Sequence, residues 1–251
     1  MLARDRTRNR RQNGNFALRE ATVHCLNSAT PGSLMLDTRP FMVKELSTLT
    51  DDILRDLAAR GQLRKVPKNT VIIKEGAPGD SMYIILAGRV KVYSEDGHGK
   101  EVILATLGPG EYVGEMVLDG GPRSANVITL EPSTFAVVSR ATLREHIRED
   151  PDFAVYLVSQ LIQRARSATE NIKALALMGV YGRVARLLVS LAEEVDGELV
   201  VRQRLTQQEI AGRVGASREM IGRIMKELQA GGYLKIQGHV ISMRRPPPAN
   251  W

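Results

Sequence analysis

The sequence predicts an α+β protein in three parts: an antiparallel β-roll, a long helix and a winged helix-turn-helix. Three observations predict it. Short β-branched runs crowd residues 70–139, with Gly or Pro turns after many of them. A helical apolar repeat then runs through residues 151–179. Two capped helices joined by a Gly turn follow, with a β-hairpin pattern behind them. The expected boundaries are 1–40 for an Arg-rich disordered tail, 41–150 for the roll, 151–179 for the helix and 180–251 for the C-terminal unit.

The tail opens MLARDRTRNRRQNGN and carries seven Arg against three acids over residues 1–40. It shows no sustained periodicity, which predicts disorder, with a non-specific phosphate-binding arm as the alternative. A short helix is expected over Thr50 to Arg60, opened by Thr50-Asp51-Asp52. Strands are expected at Thr70–Lys74, Ser81–Leu86, Val90–Ser94, Glu101–Leu107, Ala125–Leu130 and Thr134–Ser139. Turns punctuate them, among them Gly76-Ala77-Pro78-Gly79-Asp80 and Gly108-Pro109-Gly110.

Pro151-Asp152 starts the long helix. Leu157, Leu161, Ala165, Ala168, Ile172, Leu175 and Gly179 follow at spacings of 4-4-3-4-3-4, close to a heptad seam. Such a stripe can pack on the roll or on a second helix; its length favours a homodimer. Gly179 and Gly182 are expected to interrupt the helix as a hinge. A second apolar helix, Val184 to Val195, is expected to begin the C-terminal unit.

In that unit Thr206 and Glu209 form a capping box, and Ile210, Ala211 and Val214 face inward. Gly215 turns the chain, and Ser217 caps SREMIGRIMKELQAGG, whose apolar stripe is Ile221, Ile224, Met225 and Leu228. Arg218 and Glu219 fall in its first turn, and Arg223 lies four residues after Glu219 on the same face. In a major groove Arg donates to guanine O6 and N7, and Glu accepts from cytosine N4. Lys226 lies one turn on, toward phosphate. The expected double-stranded DNA surface is Thr206, Gln208, Ser217, Arg218, Glu219, Arg223 and Lys226. A β-hairpin wing over Tyr233–Ile236 and Val240–Met243 closes the unit.

Bulk properties agree with this division. Net charge is +4 over residues 1–40, −2 over 41–196 and +5 over 197–251. A basic C-terminal unit behind a near-neutral body suits nucleic acid. The single Cys25 allows neither an internal disulfide nor a thiolate metal site, and a reducing cytoplasm is the default setting. No cofactor or metal is expected: His24, His98, His146 and His239 are scattered without ligand spacing. No apolar run is long enough for a membrane span; the best, Leu175 to Leu191, contains Arg183 and Arg186. The Arg-rich N-terminus lacks the apolar stretch of a secretory signal. No P-loop, zinc-protease helix or nucleophile elbow is present, so no enzyme is expected.

One segment remains, VGEMVLDGGPRSANV at 113–127, which places Glu115 and Arg123 around a Gly120-Gly121-Pro122 turn among apolar residues. GEMVLDGGPRSA, EGAPGDSMYIILAGRV and LTQQEIAGRVGASREMIGRIMKEL together resemble the CRP/FNR family of transcription regulators, most closely its cyclic AMP receptor branch. The resemblance covers about residues 41–245. It implies a cyclic-nucleotide-binding roll, a dimerisation helix and a winged helix-turn-helix. The nucleotide site it implies is Gly114, Glu115, Met116, Arg123, Ser124, Ala125 and Thr169. Arg123 would grip the phosphate with the Ser124 hydroxyl and nearby amides, and Glu115 would accept from the ribose 2′-OH. The Gly-Gly-Pro turn would bring backbone close to the anion. Without a ligand, Glu115 and Arg123 would instead form a buried pair. In the cyclic AMP receptor branch a Thr-Ser pair on the dimer helix contacts adenine. Registering on Val180-Tyr181-Gly182-Arg183 puts Ala168-Thr169 there, so one hydroxyl is lost, and Ser167 is expected to point elsewhere. Cyclic AMP is the expected regulatory ligand. Cyclic di-GMP, with Arg164 and Arg166 available to guanine, and ligand-independent DNA binding are the alternatives. The resemblance further implies palindromic DNA with TGTGA-like half-sites and RNA polymerase as a partner.

Overall fold

The structure, a computed structural model, describes residues 52–243 and Pro247. The expected tail 1–40 and the cap Thr50-Asp51 lie outside the described residues.

Helix α1 (Asp52–Ala59) leads into eight strands: β1 (Gln62–Val66), β2 (Val71–Ile73), β3 (Ser81–Ala87), β4 (Val90–Glu95), β5 (Glu101–Leu107), β6 (Tyr112–Val113), β7 (Asn126–Thr129) and β8 (Ser133–Ser139). They form two four-stranded antiparallel sheets, ordered β1-β8-β3-β6 and β2-β7-β4-β5. Tyr83, Ile85 and Phe135 from the first sheet meet Ile73, Val90 and Val127 from the second. The other face of the first sheet, with Met82, Ile84, Leu86, Ala136 and Val138, packs under helices. Alternate residues of β3 therefore enter two cores, which is why Ser81–Leu86 reads as an unbroken apolar run. Sequence reasoning missed β1: QLRKV alternates with exposed charge and holds one fully inward residue, Val66.

Two helices cover that outer face. Helix α2 (Arg140–Glu149) is capped by Ser139, whose hydroxyl accepts from Thr142 N, and it buries Leu143 and His146. It was not anticipated, because its sequence RATLREHIRE is mostly polar. Asp150 caps the next helix, accepting from the amides of Asp152 and Phe153, with Pro151 at the first helical position. This is α3 (Pro151–Leu177), which buries Phe153 and Leu157 against the roll.

Met178 breaks the helix and Gly179 caps α4 (Val180–Ser190). Gly182 lies buried inside α4 and does not interrupt it, a correction to the expected two-glycine hinge. The helix expected to reach Val195 stops at Ser190; β9 (Glu193–Val195) and β10 (Glu198–Val201) follow, turned by Asp196-Gly197 at positive φ. Helices α5 (Gln207–Val214) and α6 (Arg218–Ala230) then form the helix-turn-helix, and β11 (Lys235–Gln237) and β12 (Val240–Met243) the wing. The capping box is present: Glu209 N donates to Thr206 Oγ1 at 3.1 Å, and Thr206 N donates to Glu209 Oε2 at 2.7 Å. Gly215 turns left-handed at φ 66 and the Ser217 hydroxyl caps α6. Ile210, Val214, Ile221, Ile224 and Leu228 form this unit's core with Val184 and Leu188 of α4.

Candidate functional site

The Arg123 side chain runs beside the loop Glu75 to Asp80. Its backbone is fixed there: Arg123 N donates to Ala77 O at 2.9 Å and Gly76 N donates to Arg123 O at 2.8 Å. Its guanidinium donates to Gly114 O at 3.0 Å and Ser81 O at 2.6 Å. Two glycines make room for it. A Cβ on Gly79 would overlap Arg123 Nε, and one on Gly114 would lie 2.6 Å from Nη1. Gly114 also sits at φ 84, open to glycine alone without strain. A buried cation held only by carbonyl dipoles favours an added anion.

Arg123 lines a cavity of about 850 Å³ between the roll and α3. Gly114, Glu115, Met116, Ser124 and Ala125 line it too, so six of the seven expected nucleotide-site residues meet at one wall. The Gly120-Gly121-Pro122 turn does not line it; Gly121 N donates to Asp119 Oδ1 at 2.7 Å, closing the loop on itself. Its expected approach to a ligand is therefore corrected.

Glu115 is not paired with Arg123. Its carboxylate accepts from Arg164 Nη1 at 2.8 Å, while Arg164 Nη2 donates to Tyr112 O at 2.7 Å. The Arg164 guanidinium lies 4.6 Å over the Tyr112 ring. Burial pushes the Tyr112 phenol up to about 12, with Arg164 opposing. Of the two arginines the sequence reading offered to a guanine, Arg164 lines the cavity and Arg166 is exposed and does not; the pairing of Arg164 with Glu115 was not anticipated. The signal was available: Arg164 lies seven residues after Leu157, two turns along the roll-facing side.

Helix α3 has two faces. Phe153, Leu157, Gln160, Arg164, Ser167, Asn171 and Ala174, spaced 4-3-4-3-4-3, face the roll or its cavity. Val155, Val158, Ile162, Ala165, Thr169, Ile172 and Ala176, spaced 3-4-3-4-3-4, are all exposed, and of these Ile172 also borders the cavity. The seam expected from Leu157 onward merged the two. Leu157 belongs to the roll, and the exposed row starts at Val155. Ser167 faces the cavity, contrary to expectation. Thr169 does not line it; its hydroxyl donates to Ala165 O at 3.0 Å.

At the C-terminal end Thr206, Gln208, Ser217, Arg218, Glu219, Arg223 and Lys226 are all exposed, spread over α5, α6 and their caps. The Glu219 carboxyl is held below its ordinary range, first by the backbone amide at the helix start and then by the Ser217 hydroxyl, with Arg218 and Arg223 adding. Helix α5 rests on β5: Gly212 packs against Ile103, and Arg213 Nη2 donates to Thr106 Oγ1 at 2.8 Å. Burial lowers the Arg213 pKa.

Among the described residues no group of three potential metal ligands occurs, and no helix is long and apolar enough to cross a membrane.

A roll with a buried, glycine-cradled arginine, a long helix and an exposed helix-turn-helix define a ligand-controlled DNA-binding regulator. Residues 63–150 match the cyclic nucleotide-binding domain family, and residues 182–247 match the Crp-like helix-turn-helix domain. The chain is 34% identical over 177 residues to a CRP-like cAMP-activated global transcriptional regulator of Mycobacterium tuberculosis, covering 68% of this chain and 79% of that one. It is 32% identical over 203 residues to the cAMP-activated global regulator of Haemophilus influenzae, covering 79% and 91%. A c-di-GMP-responsive global regulator from Xanthomonas campestris superposes with a TM-score of 0.68 at 28% identity, covering 77% of this chain and 99% of that one. The chain belongs to the CRP/FNR family of transcription regulators. It is a cyclic-nucleotide-responsive DNA-binding protein of that family.

Proposed function

We propose that the protein is a homodimeric transcription regulator whose affinity for DNA is set by cyclic AMP bound between the roll and α3. The observation that carries this reading is Arg123, buried beside Gly79 and Gly114 with Glu115 in the same cavity. Arg123 would hold the cyclic phosphate with Ser124 and the amide of Ala125. Glu115, steadied by Arg164, would accept from the ribose 2′-OH. The cAMP-activated relatives support cyclic AMP.

The exposed row on α3 supports the homodimer. Val155, Val158 and Ile162 are each at least 47% exposed and lie outside the cavity, an apolar stripe that a second copy's equivalent would cover. Thr169 lies within that row. It would therefore act across the dimer, offering its hydroxyl to the partner's cavity and not to its own. The ligand would act by population shift, binding the DNA-competent arrangement more tightly.

For DNA, the reading keeps palindromic TGTGA-like half-sites, with Arg218, Glu219 and Arg223 on base edges, Thr206, Gln208, Ser217 and Lys226 toward phosphates, and RNA polymerase as the bound partner. Arg218→Ala or Arg223→Ala is expected to weaken operator binding by about 1–3 kcal/mol and relax one base position. Equal weakening on every sequence would make them phosphate contacts.

One observation favours cyclic di-GMP as a second reading. Arg123, Arg164, Arg183, Arg186 and Arg213 line the cavity against only Glu111 and Glu115. That excess of cations suits a ligand with two phosphates, and the c-di-GMP-responsive relative shares the fold. Calorimetry with cyclic AMP, cyclic GMP and cyclic di-GMP separates the readings. Cyclic AMP binding that raises operator affinity and is lost in Arg123→Ala is the expected result. Silence for all three nucleotides would leave a ligand-independent regulator.

A further inference from the structure

A second, smaller groove of about 290 Å³ runs along α4, lined by Met178, Gly182, Ala185, Val189 and Pro247 among others. We infer that this groove is the seat of the chain's own C-terminal segment, with Pro247 as its anchor and the Trp251 indole as its main occupant.

Helix α4 has two apolar faces. Val184 and Leu188 enter the core of the C-terminal unit. Gly182, Ala185 and Val189, at i, i+3 and i+7, share a different side. Gly182 and Ala185 have almost no side chain, so they form the floor of a depression. Val189 stands at its far end, 36% exposed. Ala185 is only 3% exposed, yet it is not among the residues of the core that Val184 and Leu188 join. The two polar lining residues have partners of their own: Arg186 donates to Glu170 O at 2.7 Å, and the Ser190 hydroxyl donates to Leu187 O at 2.8 Å. The groove therefore asks for an apolar guest.

The chain itself leads to the groove. Strand β12 ends at Met243, and Pro247 is already buried against α4. Pro248, Ala249, Asn250 and Trp251 follow and lie outside the described residues. Trp251 is the chain's only tryptophan. Four residues reach at most about 14 Å, and the groove from Gly182 to Val189 is about 10.5 Å long at the helical rise. The indole can thus reach any part of it. A dry apolar void of about 150 Å³ takes up benzene, and an indole is about half as large again, so the room suffices. So short a tether holds the indole at a millimolar effective concentration. Pro246, Pro247 and Pro248 restrict the segment, so little freedom is lost on docking. Because Met178 marks the break between α3 and α4, the docked segment would tie the end of the wing to that break.

The fluorescence of the full chain tests this directly, since Trp251 alone supplies the tryptophan signal. Its emission should lie at shorter wavelength than in the urea-unfolded chain, with weaker acrylamide quenching, and both should be unchanged by dilution. Val189→Asp should move the emission to the unfolded chain's wavelength while circular dichroism stays that of the wild type; Val189→Ile should keep the wild-type emission. Trp251→Ala should uncover the groove and raise the fluorescence of added anilinonaphthalene sulfonate. If Val189→Asp loses its helical signal, the Trp251→Ala measurement decides alone, and unchanged dye fluorescence there overturns the proposal. So does a wild-type emission equal to that of the unfolded chain, which would leave the groove to an outside partner. Protection lost on dilution would assign Trp251 to a second copy's groove, and protection kept in a folded Val189→Asp would place the indole on another surface; either overturns the intramolecular seat.

Discussion

The two faces of α3 are a residue or two apart and differ in chemistry. The cavity row begins apolar, at Phe153 and Leu157, and turns polar at Gln160, Arg164, Ser167 and Asn171, where the roll gives way to the cavity. The exposed row keeps small and apolar residues along its length, from Val155 to Ala176, with Thr169 its one hydroxyl. On the proposed reading, the row that would meet a nucleotide changes chemistry along its length, as a nucleotide does, and the row that would meet its own symmetry mate need not. The contrast teaches that helical period alone finds a stripe, whereas the composition along the stripe tells what it faces.

The largest effect should come from breaking the exposed row. Val158→Asp with Ile162→Asp places charges where a second copy would bury them, and neither residue lines the cavity. Sedimentation should show monomers, and affinity for a palindromic operator should fall roughly a hundredfold, since each half-site then binds alone. A dimer that persists would assign the interface to another surface.

Next is Gly79→Ala, which leaves the exposed row alone. Its methyl overlaps Arg123 Nε, so the guanidinium must leave its carbonyl cradle. Nucleotide affinity should drop by more than tenfold in calorimetry, with the dimer intact. Retention of full affinity would show that Arg123 binds without this cradle.

Arg164→Ala comes third. It strips Glu115 of its ion-pair partner in a site where Glu115 is only 9% exposed. Truncating one member of a largely buried pair leaves the other charge uncompensated, and nucleotide affinity should fall by about tenfold. Arg166→Ala, two residues on, should change nothing; equal losses would erase the distinction between the faces.

The smallest effect lies where the cavity row begins. His146 is 2% exposed, packs against Phe153 with ring centroids 4.8 Å apart and tilted by 59°, and has no partner on either ring nitrogen among the described residues. Burial lowers its pKa, helped by Arg60 and opposed by Asp150, Asp56 and Glu149. The unfolded chain therefore binds this proton more readily than the folded one. The stability from a neutral His146 is complete above its ordinary pKa of about 6.5 and is lost as pH falls below it. Thermal melts should show Tm dropping between about pH 7 and pH 5, with a shallower drop in His146→Leu.

Much of this was legible in the sequence. The strands of the roll, both caps of the helix-turn-helix and the cluster around Glu115 and Arg123 follow from local chemistry. Gly215 after Val214, or Thr206 three residues before Glu209, forces a local geometry wherever it occurs. What escaped depends on distant partners. QLRKV became β1 because β8 offered an edge to pair with, not because of its own pattern. Arg164 was expected near a ligand, but its pairing escaped because Glu115 and Tyr112 lie 49 and 52 residues away in sequence. Gly182 looked like a helix breaker, yet α4 tolerates it because that face is packed.

The central strand β3 carries one further consequence. It pairs with β8 on one side and β6 on the other, and cores cover both its faces. From Tyr83 to Ile85 it is hydrogen-bonded on both edges and covered on both faces, so these amides should exchange with solvent only when the roll opens. Strand β6, which leads directly into Gly114 and Glu115, hangs on it through Tyr83–Val113 and Ile84–Tyr112. Deuterium should therefore enter last beneath the cavity. If so, the cavity wall at Gly114 and Glu115 is tied to a slowly opening strand, and any movement on ligand binding is expected elsewhere in the chain.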